Sequence, residues 1–168
     1  MADTTTVPDD DSAFSVSDIV VNEASPYAVF TISGAQGTTI NGLTHTDGDS
    51  SGNNVTLNLS DNELEVFNGT TWEVFSSANP VTIDATATLL VRISIAEEQD
   101  SFVDDGEKFQ LTVTKADGGS VTGEATINDS GSGTKFTGQA DTGTSPPTPS
   151  TEGTDLDFDT DVVSINDV

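Results

Sequence analysis

Short runs of alternating apolar residues, cut roughly every 8–12 positions by Gly, Asn, Asp or Pro, constrain this chain more than any other feature. Tyr27–Ser33 places Ala28, Phe30 and Ile32 on one face and Tyr27, Val29 and Thr31 on the other. Residues 88–96 repeat the pattern with Leu89, Val91, Ile93 and Ile95. Residues 19–21, 55–59, 108–114 and 120–127 read as further strands, with a weaker one over 38–43. No apolar period of 3.6 residues is sustained anywhere, and Thr, Ser, Gly, Asn and Asp dominate. The expectation is an all-β, antiparallel sandwich.

The turns carry their own chemistry. Asn68-Gly69, set between 63–67 and 70–75, predicts a two-residue hairpin of type I′, with Leu64, Val66, Trp72 and Val74 meeting across it. Residues 44–54 hold no large apolar side chain and read as a polar loop, which makes His45, the only histidine, a surface-turn residue. The stretch 1–13 is polar and acidic and reads as a linker; 14–136 is the sandwich domain. Residues 137–154, rich in Gly, Ser, Thr and Pro, read as a second, semi-extended linker. Residues 155–168 alternate again, either as a terminal strand of this domain or as the start of a following repeat.

Charge is the second constraint. There are 29 Asp and Glu against 4 Lys and Arg, a formal net charge of -25 over 168 residues. The acids gather at expected strand ends: Asp9, Asp10 and Asp11; Glu97, Glu98 and Asp100; Asp104, Asp105 and Glu107; and Asp129. Two carboxylates about 4 Å apart repel by roughly 1 kcal/mol even in water. With so few basic residues, divalent cations are the natural counter-charge. Calcium suits such loops, because it takes six to eight oxygen ligands from carboxylates and carbonyls.

The same imbalance disfavours nucleic acid and anionic lipid as partners. It also favours a monomer. The chain has no cysteine, so disulfides are excluded and metal is the remaining cross-link. No apolar stretch approaches 18 residues and no signal peptide is evident, so on this reading the address lies in a longer parent protein. Asp47-Gly48-Asp49 with Gly52 has a passing likeness to an EF-hand loop, but the Glu at the twelfth position is missing. A lone histidine and a lack of any phosphate-binding loop leave no set of residues that specifies an enzyme.

The run Val20-Val21-Asn22-Glu23-Ala24-Ser25-Pro26-Tyr27-Ala28-Val29-Phe30 resembles the opening of the Calx-β-like repeats of giant bacterial RTX adhesins. The hairpin around Asn68-Gly69, the run Asp104-Asp105-Gly106-Glu107-Lys108-Phe109 and the closing Ala125-Thr126-Ile127-Asn128-Asp129 are similar to later parts of that family. The resemblance covers about residues 11–136, while 40–62 departs from it. It implies an Ig-like (Calx-β-like) sandwich that works as a calcium-stiffened extender repeat on the bacterial cell surface, outside the cell. Its partners would be neighbouring repeats of the same polypeptide. The alternative it leaves open is a calcium-dependent module that binds a peptide or glycan, with residues 44–54 the first place to look. Carried over by motif, Glu23, Glu98, Asp104, Glu107 and Asp129 are the implied calcium ligands.

Overall fold

A computed structural model describes residues 13–47, 63–96, 106–129, 132–137 and 148–151. They form two sheets and no α-helix. The first sheet has the order β1 (Ser15–Val16), β3 (Tyr27–Ser33), β8 (Thr88–Ser94), β5 (Glu65–Phe67), β6 (Trp72–Val74). The second runs β12 (Thr148–Thr151), β11 (Thr134–Thr137), β2 (Ile19–Asn22), β10 (Ser120–Asn128), β9 (Glu107–Lys115), β4 (Thr39–Asp47), β7 (Val81–Thr82).

Strand alternation sets the core. Ala28, Phe30 and Ile32 of β3 and Val91 and Ile93 of β8 are fully buried on one side. Phe109, Leu111 and Val113 of β9, with Ala125 and Ile127 of β10, face them from the other sheet. Phe30 and Phe109 meet edge-to-face between the sheets, with ring centroids 5.7 Å apart and planes at 80°. Each such side chain contributes about 1.5–3 kcal/mol through burial, and the aromatic pair somewhat more.

The opening segment serves both sheets. β1 pairs with β3, whereas β2 lies parallel to β10, so the chain crosses between the sheets at Ser17 and Asp18. Both residues are tied down: Ser17 N–H donates to Thr31 O at 2.9 Å and Ser17 Oγ accepts from Thr31 N–H at 2.9 Å. Asp18 Oδ1 accepts from Glu124 N–H at 2.8 Å. The crossing passes directly over Gly123, where a Cβ would stand 2.5 Å from Ser17 O.

The sandwich is not wholly antiparallel as expected, because β2 runs parallel to both β10 and β11, and three further sequence expectations change. First, β4 continues through Asp47, so residues 44–47, expected to open a polar loop, are strand, and His45 sits opposite Leu111. Backbone pairing with β9 supplies what side-chain hydrophobicity does not. Second, the β5–β6 hairpin exists, but Phe67 pairs with Trp72 across a four-residue loop. Only Gly69 there has positive φ, at 91°, so the turn is not type I′. Asn68 organises it instead, its Oδ1 accepting from Thr70 and Thr71 N–H at 2.9 and 2.8 Å. Third, residues 148–151, assigned from sequence to a linker, pair antiparallel with β11.

One residue is held against its preference. Ala87, in the turn after Asp84, has φ of 59°, the left-handed region that costs a residue bearing Cβ about 1–2 kcal/mol. The turn is fixed by Ala87 N–H donating to Asp84 O at 3.1 Å and Gly34 N–H donating to Ala87 O at 3.1 Å. The Thr86 hydroxyl and then its N–H, at 2.5 and 2.7 Å, hold the Asp84 carboxyl below the usual carboxylate range. Ala87→Gly should therefore raise stability by about 0.5–1 kcal/mol in urea unfolding. A lowered midpoint would contradict the strained turn.

Candidate metal centre

The rule that builds the core also delivers carboxylates to its rim. Ile127 of β10 is aligned with Val21 of β2 on one side and Glu107 of β9 on the other. Two residues beyond Val21 lies Glu23, and two beyond Ile127 lies Asp129. Glu107 itself begins the inward-facing row that continues through Phe109, Leu111 and Val113. Three acids thus extend three core-facing rows at one end of the second sheet.

Backbone hydrogen bonds fasten this end. Glu23 N–H donates to Asn128 O at 3.0 Å, and Gly106 N–H donates to Ile127 O at 3.0 Å. Gly106 has φ of 93°, a conformation that suits glycine, and it turns the chain into β9. Asn22 Oδ1 accepts from Ala24 N–H at 2.8 Å, closing a tight Asx turn that carries Glu23. Asn128 Nδ2 donates to Ser132 Oγ at 2.9 Å.

Burial makes the arrangement chemically unusual. Glu23 is only 9% exposed and Glu107 7% exposed. Buried carboxylates are costly unless hydrogen-bonded or matched by positive charge. The donor atoms at this rim are oxygens, the set a hard cation such as calcium takes.

The structure thus brings Glu23, Glu107 and Asp129 to one pole. Asp9, Asp10, Asp11, Glu97, Glu98, Asp100, Asp104 and Asp105 lie outside the described residues. Among the described residues, no group of three or more His, Cys, Asp or Glu side chains is arranged to hold a metal ion. No described helix is long and apolar enough to cross a membrane.

Sequence reasoning passed over a second feature. The sole arginine, Arg92, the sole tyrosine and the sole tryptophan meet on the outer face of the first sheet. The Arg92 guanidinium lies 4.0 Å from the Tyr27 ring centroid and 4.5 Å from that of Trp72. Its Nε donates to Glu65 Oε2 at 2.6 Å. Phe67 packs on Trp72 with centroids 5.3 Å apart. The outward face of β8 would otherwise expose Arg92, yet these rings leave it 6% exposed. The three residues are far apart in sequence, and only the pairing of β3, β8, β5 and β6 unites them.

No family model matches the sequence, and a search of curated proteins finds no match. Among solved structures, the chain is similar to the crystal structure of the Pseudomonas aeruginosa CupB2 chaperone, at 12% identity and a TM-score of 0.35. The likeness covers 65% of this chain, which spans about half, 52%, of the chaperone's length.

Proposed function

We propose that this protein is a calcium-stabilised structural repeat of a long bacterial surface adhesin, Ig-like (Calx-β-like) in detail and working outside the cell. The observation that carries the reading is the burial of Glu23 and Glu107 at one rim of the sandwich, with Asp129 on the adjoining row. A chain of net charge -25 that buries carboxylates together favours binding a cation on folding. The resemblance of residues 20–30, 104–109 and 125–129 to the RTX adhesin repeats supplies the biological setting.

The mechanism is electrostatic. Without calcium, the acids at the rim repel one another and loosen the ends of β2, β9 and β10. With calcium bound near this rim the repulsion is relieved and the pole stiffens, so neighbouring repeats are held at a fixed angle. An ion present at 100 times its dissociation constant adds about 2.7 kcal/mol for each independent site.

Thermal melting in calcium, in magnesium and in EDTA tests the reading. Calcium should raise the melting temperature by about 5–10 °C over EDTA, and magnesium, which dehydrates reluctantly, should raise it much less. Equal melting temperatures in all three would overturn the calcium role.

A further inference from the structure

Among the described residues, the β5–β6 hairpin ends the first sheet and β7 ends the second, and a cleft of about 620 Å³ lies between them. That volume falls within the range of ordinary ligand sites. Val66 is buried and registered with Glu73, so Glu73 shares the inward face of the hairpin and turns a carboxylate toward the cleft. Val81 and Leu89 supply apolar wall, Asn68 an amide, and Asp84 a second carboxylate at the far rim.

Charge narrows the ligand. Glu73 and Asp84 both line the cleft, and among the described residues neither lysine nor arginine does. Asn68 Nδ2 donates to Oε1 of Glu73 at 2.7 Å, and Thr86 donates to Oδ1 of Asp84. Each carboxylate is thereby oriented, and the second oxygen of each, Oε2 and Oδ2, remains for a ligand. Such a cleft repels anions and accepts an ammonium or guanidinium group.

Shape narrows it further. β6 is the outer strand of the first sheet among the described residues, and Val74 on it is 51% exposed. An edge strand beside a cleft offers backbone donors and acceptors to an extended chain, while alternate side chains enter the cleft.

We infer that the cleft between the β5–β6 hairpin and β7 binds an extended basic peptide, whose lysine or arginine side chain reaches Glu73 and Asp84 while its backbone runs along β6. This site shares no lining residue with the Glu23–Glu107 pole, so it stands or falls apart from the calcium reading.

The probe is a short fluorescent peptide alternating lysine and valine, titrated into the full chain by anisotropy, with backbone amide NMR shifts read in parallel. Saturable binding should perturb residues 66–75 and 81–89. The pair Glu73→Gln with Asp84→Asn should weaken it by about tenfold. The same peptide with acetylated lysines should not bind. Because a chain this acidic attracts any polycation, the decisive control removes equal charge elsewhere, through Asp117→Asn with Glu124→Gln. Equal weakening by both pairs, shifts centred outside the cleft, or no saturable binding would each overturn the site. If the double variant at the cleft melts early, Val74→Lys, which places like charge on the exposed edge, should weaken the peptide instead. Unchanged binding there contradicts the proposal.

Discussion

Gly123→Ala should destabilise the protein by about 1–3 kcal/mol, lowering its melting temperature by several degrees. In an ordinary strand the same change would stabilise by about 0.5–1 kcal/mol, because glycine loses more backbone freedom on folding than alanine. The sign of the result is therefore informative. An added Cβ at Gly123 would stand 2.5 Å from Ser17 O and 2.6 Å from Val16 Cγ1. The first of these is backbone and cannot swing aside. To make room, the crossing segment must lift from β10, which strains both the Ser17–Thr31 and Asp18–Glu124 hydrogen bonds. Urea unfolding at matched calcium measures it. A gain in stability would mean that the first strand does not pass over β10 as described.

Loss of the Arg92 side chain should be costlier still. In Arg92→Ala, Glu65 keeps a carboxylate whose side chain is 23% exposed, with its cation gone. Truncating one partner of a buried pair costs about 3–5 kcal/mol, and partial exposure of Glu65 moves the expectation to about 2–4 kcal/mol. Two cation–π contacts of about 0.5–2 kcal/mol each vanish with it. Arg92→Lys keeps the charge but not the planar group that lies against two rings, so about half the loss should persist. Trp72 is the only tryptophan, and its fluorescence reports directly on the stack. Both variants should shift its emission; a change in stability with unaltered emission would place the cause elsewhere.

The fold was largely legible where alternation was strong. Tyr27–Ser33 is a strand over the bounds its pattern predicts, and the inward sets of β3, β8 and β9 are the apolar sets of the sequence. Legibility failed where pairing, not hydrophobicity, makes a strand: residues 44–47 join β4 because β9 offers hydrogen-bond partners. The Asn68-Gly69 hairpin was readable, but its turn type was not. Asn68 uses its side chain to close a four-residue loop, and local sequence does not choose between that and a two-residue turn.

The candidate site was legible in a different way. Glu23, Glu107 and Asp129 stood out as motif residues, but their meeting depends on register: Val21, Ile127 and Glu107 must align before the next inward positions share a rim. The Arg92 stack gave no sequence signal at all, because Tyr27, Trp72 and Arg92 follow no local spacing. The cleft depends likewise on where two sheets end.

The most direct test of the account compares Glu23→Gln/Glu107→Gln with the unaltered chain by calorimetric calcium titration and by melting with and without EDTA. Removing two buried like charges should leave the variant as stable as the original, or more so, in EDTA. In calcium the order should reverse: the original gains about 5–10 °C, while the variant gains little and loses the tightest binding heat. A variant that keeps the full calcium-induced rise and an unchanged titration would show that the acidic pole of β2, β9 and β10 is not where the ion stabilises this protein.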